Sequence, residues 1–549
     1  MPFKAFLISI FIFLLSFYPI FSFEEETKCL TFPFLYNKDF KDRVLSTVYF
    51  DSTGRPKNQC VAYSSDGLFA VHYDTSGSNR VPLVDLNRNG IPDYVDSALY
   101  YLEYAYKVYV DVMGFDPPPK DSGRGGSDAY DFYLWEIGNG LADEVAYGWT
   151  IPDIEIKEPG VFQKFACYSI LDNDFSPYDT AFFSNGTKRA TFRESGYLGL
   201  KITTAHELHH LFQFGYGDPN FPSFNEMTST FMEWRVHPET KDYLQFVASL
   251  FRDLQKYVLS DPTYYVGYRY AIFLQYLYKR FGDFPIVEVW RNIGRGNSAL
   301  LSLELALKAC GSSISEALAN FLPYLYYSGG RARPNLLPNA ELFPEVKYYL
   351  DQKFNGTSIS NHILRPLEIM ALRFVFPGIT FETLNDTLVI YLANIDSYSG
   401  INQIKDSARE CTIILSEIPT GNGIQLYPRN VFYQFQGDRN LIADSLFLSY
   451  GYKTFATTSA FPNPWKFGKE HLNFPVPPNA PVDGSVELRI FDSNLNEISL
   501  PSNTFKISIV NKIRVVAFEN FPTKLPSGVY FFKVRYKDSE IFGKFSVID

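Results

Sequence analysis

The segment Thr203-Thr204-Ala205-His206-Glu207-Leu208-His209-His210-Leu211-Phe212-Gln213-Phe214 decides how this chain is read. It contains His-Glu-x-x-His at His206, Glu207 and His210. On an α-helix, residues four apart share a face and lie about 6 Å apart along the axis, so two imidazoles at that spacing reach one metal ion. Zinc held by two imidazoles and one further ligand keeps a position open for water, and the ion brings that water's pKa down toward about 7. A carboxylate one residue after the first ligand is placed to take the water's proton, which makes Glu207 the candidate general base. Three of the seven histidines fall within five residues here, which favours a built site over surface histidines scattered on an amphipathic helix. His209 lies about 100° around the helix from His210 and is read as a neighbour of the ligands or a solvent-facing residue.

This motif resembles that of the zincin metallopeptidases. The metzincin continuation requires Gly three residues and His six residues after the second histidine; Gln213 and Tyr216 stand there, so that subgroup is excluded. The gluzincin pattern takes a glutamate from a following helix, and Asn225-Glu226-Met227-Thr228-Ser229-Thr230-Phe231-Met232-Glu233-Trp234 is similar to it. The resemblance implies Glu226 as the third zinc ligand. Two other readings stand beside it: Ser223 and Glu226 form the S-x-x-E of a capping box, and Glu233 offers a second carboxylate along the same helix. Thr230 replaces the aspartate that thermolysin-like sequences carry four residues after the ligand. Tyr264, Tyr265 and Tyr268 are candidate donors to an oxyanion, with Tyr268 preferred; core packing is the competing use of each.

A longer stretch, about residues 69 to 334, resembles a family of secreted bacterial metalloproteinases recognised largely from genome sequences. Its marks are Phe69-Ala70-Val71-His72-Tyr73, Asn89-Gly90-Ile91-Pro92-Asp93-Tyr94-Val95-Asp96, Asp172-Asn173-Asp174-Phe175, the His-Glu-x-x-His helix and Glu226 to Trp234. The resemblance covers roughly half the chain and implies peptidase activity on a protein or peptide substrate, without naming one.

A second constellation runs from Asp85 to Asp96. Asp85, Asn87, Asn89, Asp93 and Asp96 fall at positions 1, 3, 5, 9 and 12 of an EF-hand-type loop, Ile91 supplies the carbonyl position 7, and Gly90 sits at the sharp turn. The loop is a candidate structural calcium site of modest affinity, since Asp96 replaces the usual glutamate; an ordinary Asx-rich turn leading into a helix from Asp96 to Met113 is the alternative. Asp172 and Asp174 are weaker candidates for another ion.

The rest of the composition narrows the setting. The 549 residues carry a formal net charge of −10 and no dense Lys/Arg cluster, so nucleic acid is excluded as an expected partner. Met1 to Phe23 reads as a signal peptide, with Lys4, an apolar run from Ala5 to Phe17, Pro19 and a small residue at Ser22. An uncleaved anchor is the alternative; no later stretch of 18 apolar residues exists, so no membrane span is expected after the signal is removed. Cysteine is sparse at five residues with no C-x-x-C, and Cys29 with Cys60 is the pair considered for one bridge.

The expected fold class is an α+β zincin-like metallopeptidase domain followed by two β-sandwich-like domains: signal 1–22, metallopeptidase 23–334, a first sandwich 335–456 and a last one 457–549. Helices are expected over Ile202 to Phe214, Asn225 to Val236, Tyr268 to Phe281 and Ser313 to Leu322, the last ended by Pro323. Strands are expected at Tyr130 to Trp135, Ala371 to Phe376, Thr387 to Leu392, Cys411 to Leu415, Val486 to Phe491, Phe505 to Val510, Val529 to Tyr536 and Ile541 to Val547. The last region resembles the sorting domain of the type IX secretion system through Phe461-Pro462-Asn463-Pro464, Leu488 to Asp492, Leu525-Pro526-Ser527-Gly528-Val529-Tyr530-Phe531 and the ending Gly543 to Ile548. With the signal peptide, that resemblance implies the type IX machinery as a partner and a location outside the cell or on its outer surface. The functional expectation is a secreted zinc endopeptidase. Its rival is a calcium-stabilised surface binding or adhesion protein with an inactive zincin-like domain, against which Glu207 argues.

Overall fold

The computed structural model describes residues 27–548, apart from 140–145, 158–162, 183–185, 377–385, 396–407, 427–430, 450–459 and a scatter of one- to three-residue gaps. The expected signal peptide and the limits at 334 and 457 lie outside the described residues. The described residues fall into two compact units, one up to residue 449 and one from residue 460 onward.

The first unit opens with two short helices, α1 (Thr31–Tyr36) and α2 (Lys38–Thr47); Asn37 caps the second by accepting from the Phe40 N–H at 3.0 Å. A five-stranded sheet follows, built from β1 (Cys60–Tyr63), β2 (Phe69–Tyr73), β3 (Tyr130–Trp135), β4 (Gly148–Ile156) and β5 (Lys164–Asp172) in the order β1-β2-β3-β5-β4. β2, β3 and β5 run parallel, while β1 and β4 are antiparallel edges. Both faces are covered, as buried parallel strands require. Phe132, Leu134 and Leu171 point into the main core, with α3 (Asp93–Lys107) on that side; Tyr133, Trp135, Tyr168 and Ile170 pack with Phe34, Phe40 and Val44 of the amino-terminal helices. The helical tract expected from Asp96 to Met113 begins at Asp93 and loosens into a π-helix over Val108–Met113. A short hairpin, β6 (Thr180–Phe182) with β7 (Lys188–Ala190), leads to the helices.

Seven helices come next: α4 (Gly196–Tyr216), α5 (Pro222–Val236), α6 (Leu244–Arg252), α7 (Tyr264–Phe281), α8 (Phe284–Gly294), α9 (Ala299–Ala309) and α10 (Ile314–Tyr326). α4 is buried around nearly its whole circumference from Gly199 onward, so it is a core helix and not a surface amphipath. Its neighbours are tight. A Cβ at Gly148 on β4 would meet the Ile170 carbonyl oxygen at 2.8 Å and Glu207 Cγ at 3.1 Å; one at Gly267 on α7 would meet the Ser223 carbonyl oxygen of α5 at 2.0 Å. Glycine at these two positions lets β4 close on α4 and α7 close on α5.

Among the described residues, eight strands complete the unit: β8 (Leu350–Lys353), β9 (Thr357–Leu364), β10 (Ile369–Phe376), β11 (Asp386–Asn394), β12 (Arg409–Ser416), β13 (Ile424–Leu426), β14 (Val431–Gly437) and β15 (Leu441–Ser449). They form two four-stranded sheets, β15-β11-β10-β8 and β13-β14-β12-β9. The period-2 alternation of β10 explains their placement. Met370, Leu372 and Phe374 join Ile413 and Leu415 in the core between the sheets, whereas Ile369 and Ala371 join the helical core that holds Leu318 and Leu322 of α10. The change of pattern after Arg333 therefore marks a change of secondary structure within one packed body.

The second unit is a two-sheet β structure. Its strands are β16 (Trp465–Lys466), β17 (Leu472–Pro475), β18 (Ser485–Phe491), β19 (Glu497–Ile498), β20 (Thr504–Lys506), β21 (Ser508–Val510), β22 (Ile513–Phe518), β23 (Gly528–Tyr536) and β24 (Ser539–Ile548). β16-β24-β23-β18-β19, with β20 on β18, form one sheet and β17-β22-β21 the other; Phe474, Leu488, Phe532 and Phe545 fill the space between. The strand expected as one piece from Phe505 to Val510 is two, because Ile507 is buried and its N–H donates to the Gly484 carbonyl.

Candidate metal centre

α4 carries His206, Glu207 and His210 on one buried face, and α5 crosses it with Glu226. His206 Nε2 lies 3.2 Å from His210 Nε2 and 3.1 Å from Glu226 Oε2, and His210 Nε2 lies 3.8 Å from Glu226 Oε1. The sequence expectation that joined these three residues thus corresponds to one cluster in the structure. The capping-box reading fails: α5 begins at Pro222, which puts Ser223 inside the helix, and Glu226 faces the histidines. Glu233 does not share the cluster. Two turns along α5, its Oε1 meets His206 Nδ1 at 2.6 Å.

The other face of each imidazole fixes its tautomer. Gln213 donates from Nε2 to the Asn225 carbonyl at 2.9 Å, so its Oε1 is the atom 2.7 Å from His210 Nδ1, and that nitrogen must carry the hydrogen. Glu233 accepts from Lys28 Nζ through Oε2 at 2.5 Å, leaving Oε1 to accept from His206 Nδ1. Both Nε2 atoms then keep bare lone pairs. They point at each other and at a carboxylate, and among the described residues Glu226 Oε1 has no hydrogen-bond partner. Such an arrangement repels itself unless a cation sits among the donors, so the residues present fit a divalent ion of zinc type. Burial lowers the pKa of His206, and burial together with His206 lowers that of His210 further, which keeps both rings neutral.

A fourth donor, absent from the sequence expectation, completes the group. Cys29 is fully buried, its Sγ lies 3.5 Å from His210 Nε2 and 3.8 Å from Glu207 Oε2, and the ligand atoms of Cys29, His206, His210 and Glu226 all fall within 4.8 Å of one another. The bridge considered between Cys29 and Cys60 does not form; both cysteines are free. No local pattern announces this role, because Cys29 stands 178 residues before Glu207.

Glu207 sits beside the donors. Its Oε2 accepts from Thr150 Oγ1 at 2.8 Å and its Oε1 has no partner among the described residues. Burial pushes its pKa up to about 8, against the pull of Thr150 and Cys29. Tyr268 is buried, with its hydroxyl 3.0 Å from Thr27 Oγ1 and its ring stacked at 6.2 Å from His206. Tyr264 and Tyr265 are only partly buried and pack on the helical core. Lys28 is buried between Glu233 and Asp242 at 2.5 and 2.6 Å. Burial opposes its charge, but the two carboxylates outweigh that and raise its pKa. His209 departs from expectation: it is neither exposed nor in contact with the ligands' outer nitrogens, but packs edge-on against Tyr109, Phe115 and Trp290.

The Asp85–Asp96 loop is built differently. Asp85 accepts from the N–H groups of Asn89 and Gly90, Asp93 from that of Leu86, and Asp96 Oδ2 from the side-chain amides of Asn87 and Asn89 at 2.9 Å each. The Ile91 N–H donates to Asn89 Oδ1, and Gly90 takes φ +86° at the turn. Asp172 is likewise capped by the N–H groups of Ile137, Asp174 and Phe175; its carboxylate groups with Glu136 and Asp179, while Asp174 is not in that group.

No family model and no curated protein matches this chain. Among solved structures, one similar to it is the crystal structure of neural ectodermal development factor IMP-L2, at 12% identity and a TM-score of 0.11, covering 36% of this chain and 88% of that one. A likeness that slight carries no argument about fold or function.

Proposed function

We propose that this chain is a secreted zinc-dependent endopeptidase acting on extracellular protein, with His206, His210 and Glu226 as the ligands that remain during turnover and Glu207 as general base. The observation that carries the reading is the convergence of the two Nε2 atoms with Glu226 among buried side chains. Zinc bound there would acidify a water and polarise a peptide carbonyl. Glu207 accepts the water's proton on its unpartnered Oε1 while Thr150 holds the other oxygen, and then passes the proton to the leaving nitrogen. Its raised pKa suits a group that must both take and give a proton, and a neighbouring cation would draw that value down. Tyr268 is the candidate donor to the developing oxyanion, through the hydroxyl that now bonds Thr27.

The segment Met1 to Phe23 supports export. The motifs from Phe461 to Ile548 support handling by the type IX machinery, and among the described residues no helix is long and apolar enough to cross a membrane. Calcium in the Asp85–Asp96 loop is proposed as structural. Metal analysis of purified protein, with proteolysis of an unfolded substrate by wild type and by Glu207→Gln, tests the reading. Stoichiometric zinc in both with turnover in the wild type alone is expected; turnover by Glu207→Gln, or no bound metal, would sink it.

A further inference from the structure

We propose that residues 27–48 form a built-in plug over the metal centre, with Cys29 as the fourth donor to the ion and Lys28 to Leu30 occupying the edge of β4 that an extended substrate would use. The inference rests on the zinc reading above. It begins with the main chain. β4 is an edge strand of the sheet and lies against α4 at Glu207, and an edge strand offers unpaired N–H and C=O groups to any extended peptide. Here those groups are taken from within the chain. Cys29 pairs with Gly148 in a parallel bridge, the Tyr147 N–H donates to the Lys28 carbonyl at 2.8 Å, and the Leu30 N–H donates to the Gly148 carbonyl at 3.1 Å. The Thr150 N–H is taken too, by Thr31 Oγ1 at 2.8 Å.

The side chains of the same segment fill the catalytic groups one by one. Cys29 Sγ joins the histidines and Glu226, Thr27 takes the Tyr268 hydroxyl, and Lys28 neutralises Glu233, which orients His206. Phe32 lies edge-on to the His210 ring at 5.9 Å. A thiolate is an ordinary zinc ligand, and one in the fourth position excludes the water that hydrolysis consumes. Metal binding moves the Sγ proton to bulk water, and displacement of the sulfur returns it, so the exchange needs no other reagent.

The plug is also joined to the body through an exposed stretch of chain. Beyond it the chain is re-anchored at Arg55, fully buried against Asp121 and Asp131 at 2.6 Å each and Asp153 at 2.9 Å. Between the two anchors Lys38, Lys41, Asp42 and Leu45 are exposed on α2, where another protease has access. Cutting there frees a segment otherwise held by its pairing with β4, by the Lys28 ion pairs and by Phe34, Phe40 and Val44 packed on the sheet, and its departure uncovers Glu207, Tyr268 and the fourth position together.

The test uses the full chain, stripped by chelator and reloaded with Co²⁺, as wild type, Cys29→Ser and Cys29→Ala. One equivalent of cobalt in all three is expected, with a thiolate-to-cobalt charge-transfer band in the wild type alone. Both variants, amino terminus intact, should degrade an unfolded protein about tenfold or more faster than intact wild type, because a competent state populated at a tenth or less lowers apparent activity by that factor. Cobalt bound in all three without the band in the wild type, or an intact wild type as active as its variants, overturns the plug and leaves the zinc reading standing. Loss of metal from folded Cys29 variants makes the thiol a permanent ligand and overturns it as well. Absence of metal from all three removes the zinc reading and the plug together.

Discussion

The α4–α5 centre and the Asp85–Asp96 loop both collect metal-type donors, yet they differ in what those donors are doing. In the centre, buried nitrogens and a carboxylate face one another, with Glu226 Oε1 left without a partner among the described residues. In the loop, half-buried carboxylates already accept from the N–H groups of Leu86, Asn89 and Gly90 and from two side-chain amides. An unsatisfied buried acceptor costs free energy that a bound cation recovers, whereas a satisfied, half-buried one costs less. Donor spacing alone therefore treats as equal two regions whose need for an ion is very different.

The comparison is broken most directly at the centre. Glu207→Gln should keep zinc and lose turnover by about 10² to 10⁴, the range of a general base. The substitution is nearly isosteric, and Thr150 can still bond the amide. Zinc content and kcat on one peptide check it, and a loss below tenfold would remove Glu207 from the proton path. Next in size is Glu233→Gln, which weakens the acceptor that fixes His206 Nδ1 and unbalances Lys28. Groups in that position typically change metal affinity by about 10- to 100-fold. Competition with a chromophoric chelator measures it; unchanged affinity would mean that α4 alone holds the ring.

How much of this was legible in the sequence follows from the same physics. The helix with His206, Glu207 and His210 could be read because both its chemistry and its periodicity are local, although the helix runs further than expected, from Gly196 to Tyr216. Glu233 and Gln213 were visible as residue types, but their use depends on how α5 crosses α4. Gln213 lies one turn beyond His210, a spacing that could have flagged it. Cys29 and Lys28 carried no signal, since only the folded chain brings them to the site. Pro323 misled: α10 continues through it to Tyr326, because burial of Leu322, Leu325 and Tyr326 offsets the missing N–H.

Packing around the centre offers a third handle. Gly267→Ala should destabilise the protein by about 1–3 kcal/mol, the usual cost of overpacking, because its Cβ would stand 2.0 Å from the Ser223 carbonyl oxygen. Since that contact positions Glu226 and Tyr268 together, metal affinity should fall along with the melting point. A melting shift without any change in affinity would separate helix packing from ligand placement.

The smallest effect is expected at the loop, and it sharpens the comparison from the other side. An ion held at about a tenth of the ambient calcium concentration stabilises by about 1.4 kcal/mol, from RT ln(1 + [L]/Kd). In a unit of this size that is roughly one or two degrees of melting temperature. To bind, Asp85 and Asp96 must exchange their present partners for the ion: Asp85 its bonds from Asn89 and Gly90, Asp96 its two side-chain amides. That exchange of hydrogen bonds for coordination is why the net gain stays small. Asp96→Asn removes the charge at position 12 while leaving the Asp85 turn untouched, so it should abolish the calcium increment without lowering the calcium-free melting point. Asp85→Ala should do both, since the same carboxylate holds the turn. Scans of wild type and both variants with calcium and with a calcium-selective chelator decide the matter, read with the zinc content constant. If wild type melts alike in both solutions, the loop is a self-satisfied turn at the head of α3, and the contrast with the buried centre becomes one between a metal site and none.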